Sequence, residues 1–317
     1  MTRIMPRIED DSFIWDEGGR LCDIALQGEL SRQADVAVII VNRDRSDLVD
    51  ELLVELDGMG ANLDMDVYII EMGSHPDKLC KSYTYYYRDD EFRGKCFGHN
   101  VGLRIARNTA RYRYYWILMN DIRFDPGVDA IQQLVDVADQ NPHLAILSPT
   151  ERDSNYPSSR PLDKATYHLV STCDYLGFLM RAQAVDEIGF LNPAFKYSWG
   201  AIHELSYLLY RQDYHVAYCD RVRMKHLGGT TYGKTKNTIS REEYQRNAKA
   251  FCADYFRAHY GDDWDSEFTR VLPAGIEVNT YKKHRRYWEM SKDNKKLSWM
   301  GRIKNGASHI VQRLRRG

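Results

Sequence analysis

Long apolar runs are missing from this 317-residue chain. Nothing in it approaches the roughly 18 consecutive apolar residues that a membrane-crossing helix needs. The opening stretch, MTRIMPRIEDDSFIWDEGG, also lacks the apolar core of a secretory leader, so a cytoplasmic location is expected. Cysteine is sparse: six residues, at 22, 80, 96, 173, 219 and 252, with no C-x-x-C pair, which excludes a zinc ribbon and argues against a disulfide scaffold. No G-x-G-x-x-G follows an apolar run and there is no Walker loop, so neither a Rossmann dinucleotide site nor a P-loop is expected. Internal repeats and low-complexity linkers are absent as well. What is present is an ordinary globular composition, 43% hydrophobic and 28% charged, which excludes wholesale disorder.

The net charge of −1 hides an asymmetry. Residues 279–317 carry 12 Lys/Arg against two acids, a net of +10, and the rest of the chain has 32 against 43, a net of −11. An acidic body with a basic tail wants an anionic partner for the tail. Trp299, Met300, Ile303, Ile310 and Leu314 lie among those Lys and Arg residues, which suits a helix in an anionic membrane interface. A solvated tail and a phosphate-backbone contact are the other readings, and nucleic acid is not the expected partner.

Residues 1–34 show no period and read as an extension. Val36–Val41 (VAVIIV) and Val67–Ile70 are β-branched runs of the kind buried on both faces of a parallel sheet. Between them, Leu48, Leu52, Leu53 and Leu56 keep helical spacing behind Ser46, which can cap the helix. Tyr83–Tyr87 reads as a third strand, Gly98–Asn108 as a loop entering a helix, and Tyr114–Met119 as a further buried strand. Asp125-Pro126 is expected to open a helix over 127–140, followed by a strand at Leu144–Leu147. Beyond a polar loop come a strand in Tyr175–Arg181 and helices near 182–188 and 202–211. Short strands at 215–219 and 222–226 follow, then a Gly/Thr/Lys loop and a helix over 240–260. Alternating strands and helices imply an α/β fold with an open, mostly parallel sheet. The expected division is an extension (1–34), a catalytic domain (35–239), a helical segment (240–278) and a basic tail (279–317).

Ligands of such sheets bind beyond the carboxyl ends of the strands. Asn42/Asp44, Glu71/Ser74/Asp77 and Asn120/Asp121 stand at three successive strand ends. Without a glycine-rich phosphate loop, carboxylates, turn backbone and a metal are left to hold a nucleotide.

VAVIIVNRDR, IIEMGSHPD, GHNVGLRIARN, YYWILMNDIRFDPG, YLGFLMRAQAVDEIGFLNPAF and MKHLGGTTYG, in this order, resemble the segments of glycosyltransferase family 2, of the bacterial polysaccharide, rhamnosyltransferase-like type. The resemblance spans residues 36–233 and implies a GT-A fold and transfer of a hexosyl or deoxyhexosyl group. The donor would be a nucleotide-diphospho-sugar, the acceptor a glycan or lipid-linked saccharide, and the cofactor Mn2+ or Mg2+. It gives donor contacts to Asn42, Asp44, Glu71, Ser74, Asn100 and Asn120, with Lys234 of the Gly/Thr/Lys loop on the diphosphate. Asp121 and His226 become the metal ligands, Trp199 and Gly177 the acceptor contacts. Two departures stand out. Met119 fills the first position of the Asp-x-Asp-type metal motif, and Ile202 falls where the base is expected, leaving Glu204 or His203 for that role. A one-residue slip makes WGAIHELS look like the corresponding segment of retaining polypeptide GalNAc transferases, so inversion and retention both stay open. The rival readings are a degenerate fold that binds sugar nucleotides or glycans without catalysis, and a transferase acting on nucleic acid.

Overall fold

The computed structural model describes residues 2–4, 32–81, 85–87, 94–151, 154, 156–228 and 240–276, with strands 2–4 and 85–87 described by backbone alone. Lys234, the rest of its loop, most of the extension and the whole basic tail lie outside the described residues.

Ten strands and seven helices alternate through the described residues. They run β1 (Thr2–Ile4), β2 (Gln33–Asn42), α1 (Ser46–Asp57), β3 (Met65–Met72), β4 (Tyr85–Tyr87), α2 (Lys95–Thr109), β5 (Arg111–Met119), β6 (Ile122–Phe124) and α3 (Ala130–Gln140). The second half continues with β7 (Leu144–Glu151), β8 (Tyr167–Leu169), β9 (Gly177–Arg181), α4 (Ala182–Ile188), α5 (Ala201–Tyr210), β10 (His215–His226), α6 (Arg241–Tyr260) and α7 (Trp264–Arg270). They form one sheet in the order β1-β3-β2-β5-β9-β7-β10-β6, with β4 beside β3 and β8 beside β10. The pairs β3–β2, β2–β5 and β7–β10 are parallel, whereas β9 runs antiparallel between β5 and β7.

The unbroken apolar runs follow from burial on both faces. Val36, Val38 and Ile40 of β2 point into a core closed by α1 and α3. Their neighbours Ala37, Ile39 and Val41 point into the opposite core, built from α2, α4, α5, α6 and α7. Cys252, Phe256, Trp264 and Phe268 place α6 and α7 in that second core. No described helix is long and apolar enough to cross a membrane.

Several local expectations change. Residues 98–108, expected as a loop running into a helix, lie wholly within α2, which begins at Lys95. Its glycines allow close approach to the sheet: a Cβ on Gly98 would sit 2.9 Å from Met72 Cγ, and one on Gly102 only 2.4 Å from Ile39 Cγ2. The helix expected from 127 starts at Ala130, and its cap is Asp129, not Asp125; the Asp129 carboxylate accepts from Gln132 N at 3.1 Å. Ser46 is the first helical residue of α1, and Arg45 before it makes no side-chain cap. The two short strands expected at 215–226 are one strand, β10, with an irregularity between Cys219 and Arg223 where it follows β7.

Candidate functional site

The carboxyl ends of β2, β3, β5, β7 and β10 lie along one edge of the sheet, and there the sequence-derived residues gather. Asn42 ends β2, fully buried. Its Nδ2 donates to both oxygens of Glu71, at 3.2 and 3.1 Å, and its Oδ1 accepts from Asn120 Nδ2 at 2.9 Å. Glu71 also accepts from Ser74 Oγ at 2.5 Å and from the Cys80 amide at 2.7 Å. Ser74 Oγ in turn accepts from the Asp44 amide at 2.9 Å, and Asp44 Oδ1 accepts from the His75 amide at 2.8 Å. Asp44 holds a left-handed φ of 58°, a conformation the short polar side chain tolerates.

This relay locks the first three strand ends to one another. Asn42, Asp44, Glu71, Ser74 and Asn120 are therefore brought together as expected, but Glu71 is fully buried with both oxygens engaged. Its carboxylate fixes the two loops instead of facing a ligand directly.

The turn at Asn120-Asp121 leads straight into β6, which runs antiparallel to the end of β10 with Ile122 opposite His226. A bond from the Leu227 amide to the Asp121 carbonyl, 2.8 Å, closes the register. Asp121 Oδ2 and His226 Nε2 are left 3.3 Å apart, the carboxylate almost buried and the imidazole about one-third exposed. Neighbouring donors at about 2.1 Å around an octahedral cation are about 3 Å from each other, so this pair fits two adjacent positions on one Mn2+ or Mg2+. Among the described residues no group of three or more His, Cys, Asp or Glu surrounds a cation site. A metal here would take its remaining ligands from water and from a bound phosphate.

The same edge holds three charged residues to which the sequence reading assigned no role. Asp174 lies just before β9; its amide donates to Tyr218 Oη at 2.9 Å. Burial first, then the Glu151 charge, push its carboxyl up to about 6, against the Tyr218 hydroxyl and the neighbouring His226 and Lys95. Glu151 ends β7. Lys95 opens α2, and burial lowers its ammonium pKa while Cys96, Asp121 and Asp174 pull the other way. The signal for Asp174 was present but inverted. An acid before a strand sits at the far edge of a parallel sheet, whereas the antiparallel β9 carries it to the edge where its neighbours end.

The other expected site residues are engaged in packing and in bonds within the fold. Glu204 is buried in the first turn of α5, with Oε1 accepting from Tyr260 Oη at 2.7 Å and Oε2 from Asn192 Nδ2 at 2.8 Å. Those bonds clasp α5 to α6 and to the segment after α4, and occupy both oxygens. His203 is half-buried at the preceding position. Gly177 is buried within the sheet, where a Cβ would meet Ile122 Cδ1 at 3.0 Å and Leu118 Cδ2 at 3.2 Å; it serves packing rather than an acceptor. Asn100 is buried and donates to the Leu191 carbonyl at 2.7 Å, tying α2 to the segment after α4. Trp199 is half-buried ahead of α5, with the Lys249 ammonium 5.5 Å over its ring.

No protein-family model matches the chain, and no curated protein matches it by sequence. Among solved structures, GalNAc-T7, crystallised with UDP, GalNAc and Mn2+, superposes with a TM-score of 0.53 at 13% identity, over 81% of this chain and 54% of that one. The chain thus spans about half the length of GalNAc-T7. Looser superpositions are found with the mannosyltransferase PcManGT of Pyrobaculum calidifontis, in complex with GDP-Man and Mn2+ (TM-score 0.48, 13% identity, 84% and 88% of the two chains). S. aureus TarS, residues 1–349, gives a TM-score of 0.47 at 11% identity, over 75% and 70%. The chain has the GT-A fold, as the sequence motifs implied.

Proposed function

We propose that the protein is a metal-dependent glycosyltransferase that moves a sugar from a nucleotide-diphospho-sugar to a hydroxyl of a glycan or lipid-linked saccharide. The observation that carries this reading is the Asp121–His226 pair, 3.3 Å apart, at the sheet edge where a GT-A fold offers its ligand cleft. GalNAc-T7, of the same fold, was crystallised with UDP and Mn2+. Asp121 and His226 would hold Mn2+ or Mg2+, which when bound neutralises the diphosphate as it leaves. The relay through Asn42, Glu71, Ser74 and Asn120 holds the loop of Asn42 and Asp44 in shape for the nucleoside.

Asp174 takes the role of base in this reading, because Glu204 is committed to Asn192 and Tyr260. In a direct displacement, the acceptor oxygen forms its bond to the anomeric carbon while the bond from that carbon to the diphosphate oxygen breaks. The bonding pair leaves with the nucleoside diphosphate, and the hydroxyl proton passes to the Asp174 carboxylate, so the anomeric configuration inverts. Burial, and then the Glu151 charge, raise the basicity of Asp174, as a proton acceptor requires. Residues 279–317 would bring the protein to an anionic membrane face where a lipid-linked acceptor resides, from the cytoplasmic side.

The reading is tested by incubating the protein with UDP-, GDP- and dTDP-sugars in Mn2+ and following release of the nucleoside diphosphate. The expected result is metal-dependent release from one donor class, lost on chelation and in Asp121→Ala. Release that is absent from every donor, with and without acceptor glycans, overturns it.

A further inference from the structure

Lys95 is held more firmly than a surface lysine, yet it has little to bond to. Its backbone is pinned by Gly94, at φ +83°, whose missing side chain leaves room for the Lys196 backbone; a Cβ there would sit 1.8 Å from the Lys196 carbonyl oxygen. The Lys95 ammonium lies 4.5 Å over the ring of Tyr175. That ring is fixed by His99, one turn further along α2, through a 2.5 Å bond between His99 Nδ1 and Tyr175 Oη. Burial, then the Lys95 charge, hold the His99 imidazole down to about 3, so it is neutral. A neutral imidazole suits both partners: Nδ1 accepts from the Tyr175 hydroxyl, and Nε2 faces the Leu118 carbonyl at 3.4 Å.

The ammonium so positioned has three donors, and among the described residues it makes one long hydrogen bond, 3.4 Å to the Tyr175 carbonyl. Its carbonyl partner Tyr175 directly follows Asp174, the proposed base, and the next carbonyl, of Leu176, accepts from the Met119 amide at 2.8 Å, two residues before Asp121, the proposed metal ligand; both carboxylates act on the Lys95 charge. A half-buried cation with unspent donors, held at this edge beside Asp174, suits an anion bound at the same edge.

We infer that Lys95 binds the diphosphate of the donor and offsets the negative charge that develops as the nucleoside diphosphate departs. Tyr175 and His99 act as positioning residues for it. The inference rests on the transferase reading and adds a residue to it. Beside the proposed cation at Asp121 and His226, Lys95 gives the phosphates a second cationic contact.

The test is titration calorimetry of UDP, GDP and dTDP in Mn2+, followed by the tightest of them and its monophosphate on wild type, Lys95→Met and Lys95→Arg. Loss of a charge-assisted contact should weaken the diphosphate about ten- to hundredfold in Lys95→Met, and the monophosphate less. Lys95→Arg should recover part of the affinity. On the wild-type protein, saturating diphosphate should also protect Lys95 from amine acylation, read by mass spectrometry, so the answer does not depend on a variant that folds. If Lys95→Met binds the diphosphate like wild type, or Lys95 acylates equally with and without it, while Asp121→Ala loses binding, the Lys95 assignment is wrong and the transferase reading stands. If wild type binds none of the three diphosphates, both fall together.

Discussion

At the scale of single residues, the proposed base is Asp174 and not Glu204, where the sequence neighbourhood suggests it. Glu204 lies two residues from where the family resemblance puts the base, yet its oxygens receive Tyr260 and Asn192. Asp174 directly precedes the YLGFLMR segment, outside the quoted motifs, and stands among Glu151, Lys95 and His226. Asp174→Asn should therefore lower kcat by about 10²–10⁴-fold with donor affinity little changed. Glu204→Ala should instead cost about 1–3 kcal/mol of stability, because it takes away the shared acceptor of the half-buried Tyr260 hydroxyl and Asn192 amide, and should leave kcat within a few-fold. Steady-state kinetics beside denaturant melts separate the two.

His99 makes a prediction about pH. Its native pKa, about 3, lies below the ordinary 6.5, so between these values the unfolded chain binds a proton that the native chain refuses. The stability it contributes is whole above about 6.5 and drains away as pH falls toward 3. Asp174, with its pKa raised, acts in the opposite sense: its contribution is present at low pH and lost as pH rises through about 6. Urea midpoints of wild type and His99→Gln at pH 7 and 5 isolate the histidine, and the variant should lose less stability on acidification.

At the scale of elements, what could be read in advance depended on how strongly burial constrains composition. Strands β2, β3, β5 and β7 are legible because both faces are covered, which demands unbroken apolar runs. Helix α1 is legible from its single apolar stripe. Helix α2 is less so: Gly98, His99, Asn100 and Gly102 lower its helical signal, and each is there for a contact with β2, β3, Tyr175 or Leu191 that no local pattern announces. Three-residue strands such as β6 and β8 carry no period to detect. The antiparallel β9 could not be inferred from its own residues, and with it went the position of Asp174. The donor-side relay was legible because polar residues placed directly after buried runs must fall at the strand ends. Gly102→Ala gives a direct check of the close α2 packing. The added methyl group meets Ile39 at 2.4 Å in a fully buried position, and overpacking of about 1–3 kcal/mol should exceed the roughly 1 kcal/mol of helix propensity gained. A thermal melt should show a lower Tm than wild type.

At the scale of the whole molecule, the charge asymmetry remains the feature the fold does not absorb. The +10 of residues 279–317 belongs to no described element, and its proposed role is attachment to an anionic bilayer. Truncation after residue 278 should abolish sedimentation with phosphatidylserine-containing vesicles and leave donor turnover in solution unchanged. Retained vesicle binding would detach the tail from that role.

The central claim is that the edge defined by Asp121 and His226 binds a sugar nucleotide through a divalent cation. It is tested most directly by a thermal-shift screen of UDP-, GDP- and dTDP-sugars, with and without Mn2+, on wild type and Asp121→Ala. A ligand at about 100 times its Kd stabilises a protein by roughly 2.7 kcal/mol, well within reach of the assay. The account predicts a Mn2+-dependent rise in Tm with one donor class in wild type and none in Asp121→Ala. An equal rise in Asp121→Ala, or no rise in wild type with any sugar nucleotide in either metal condition, would contradict it.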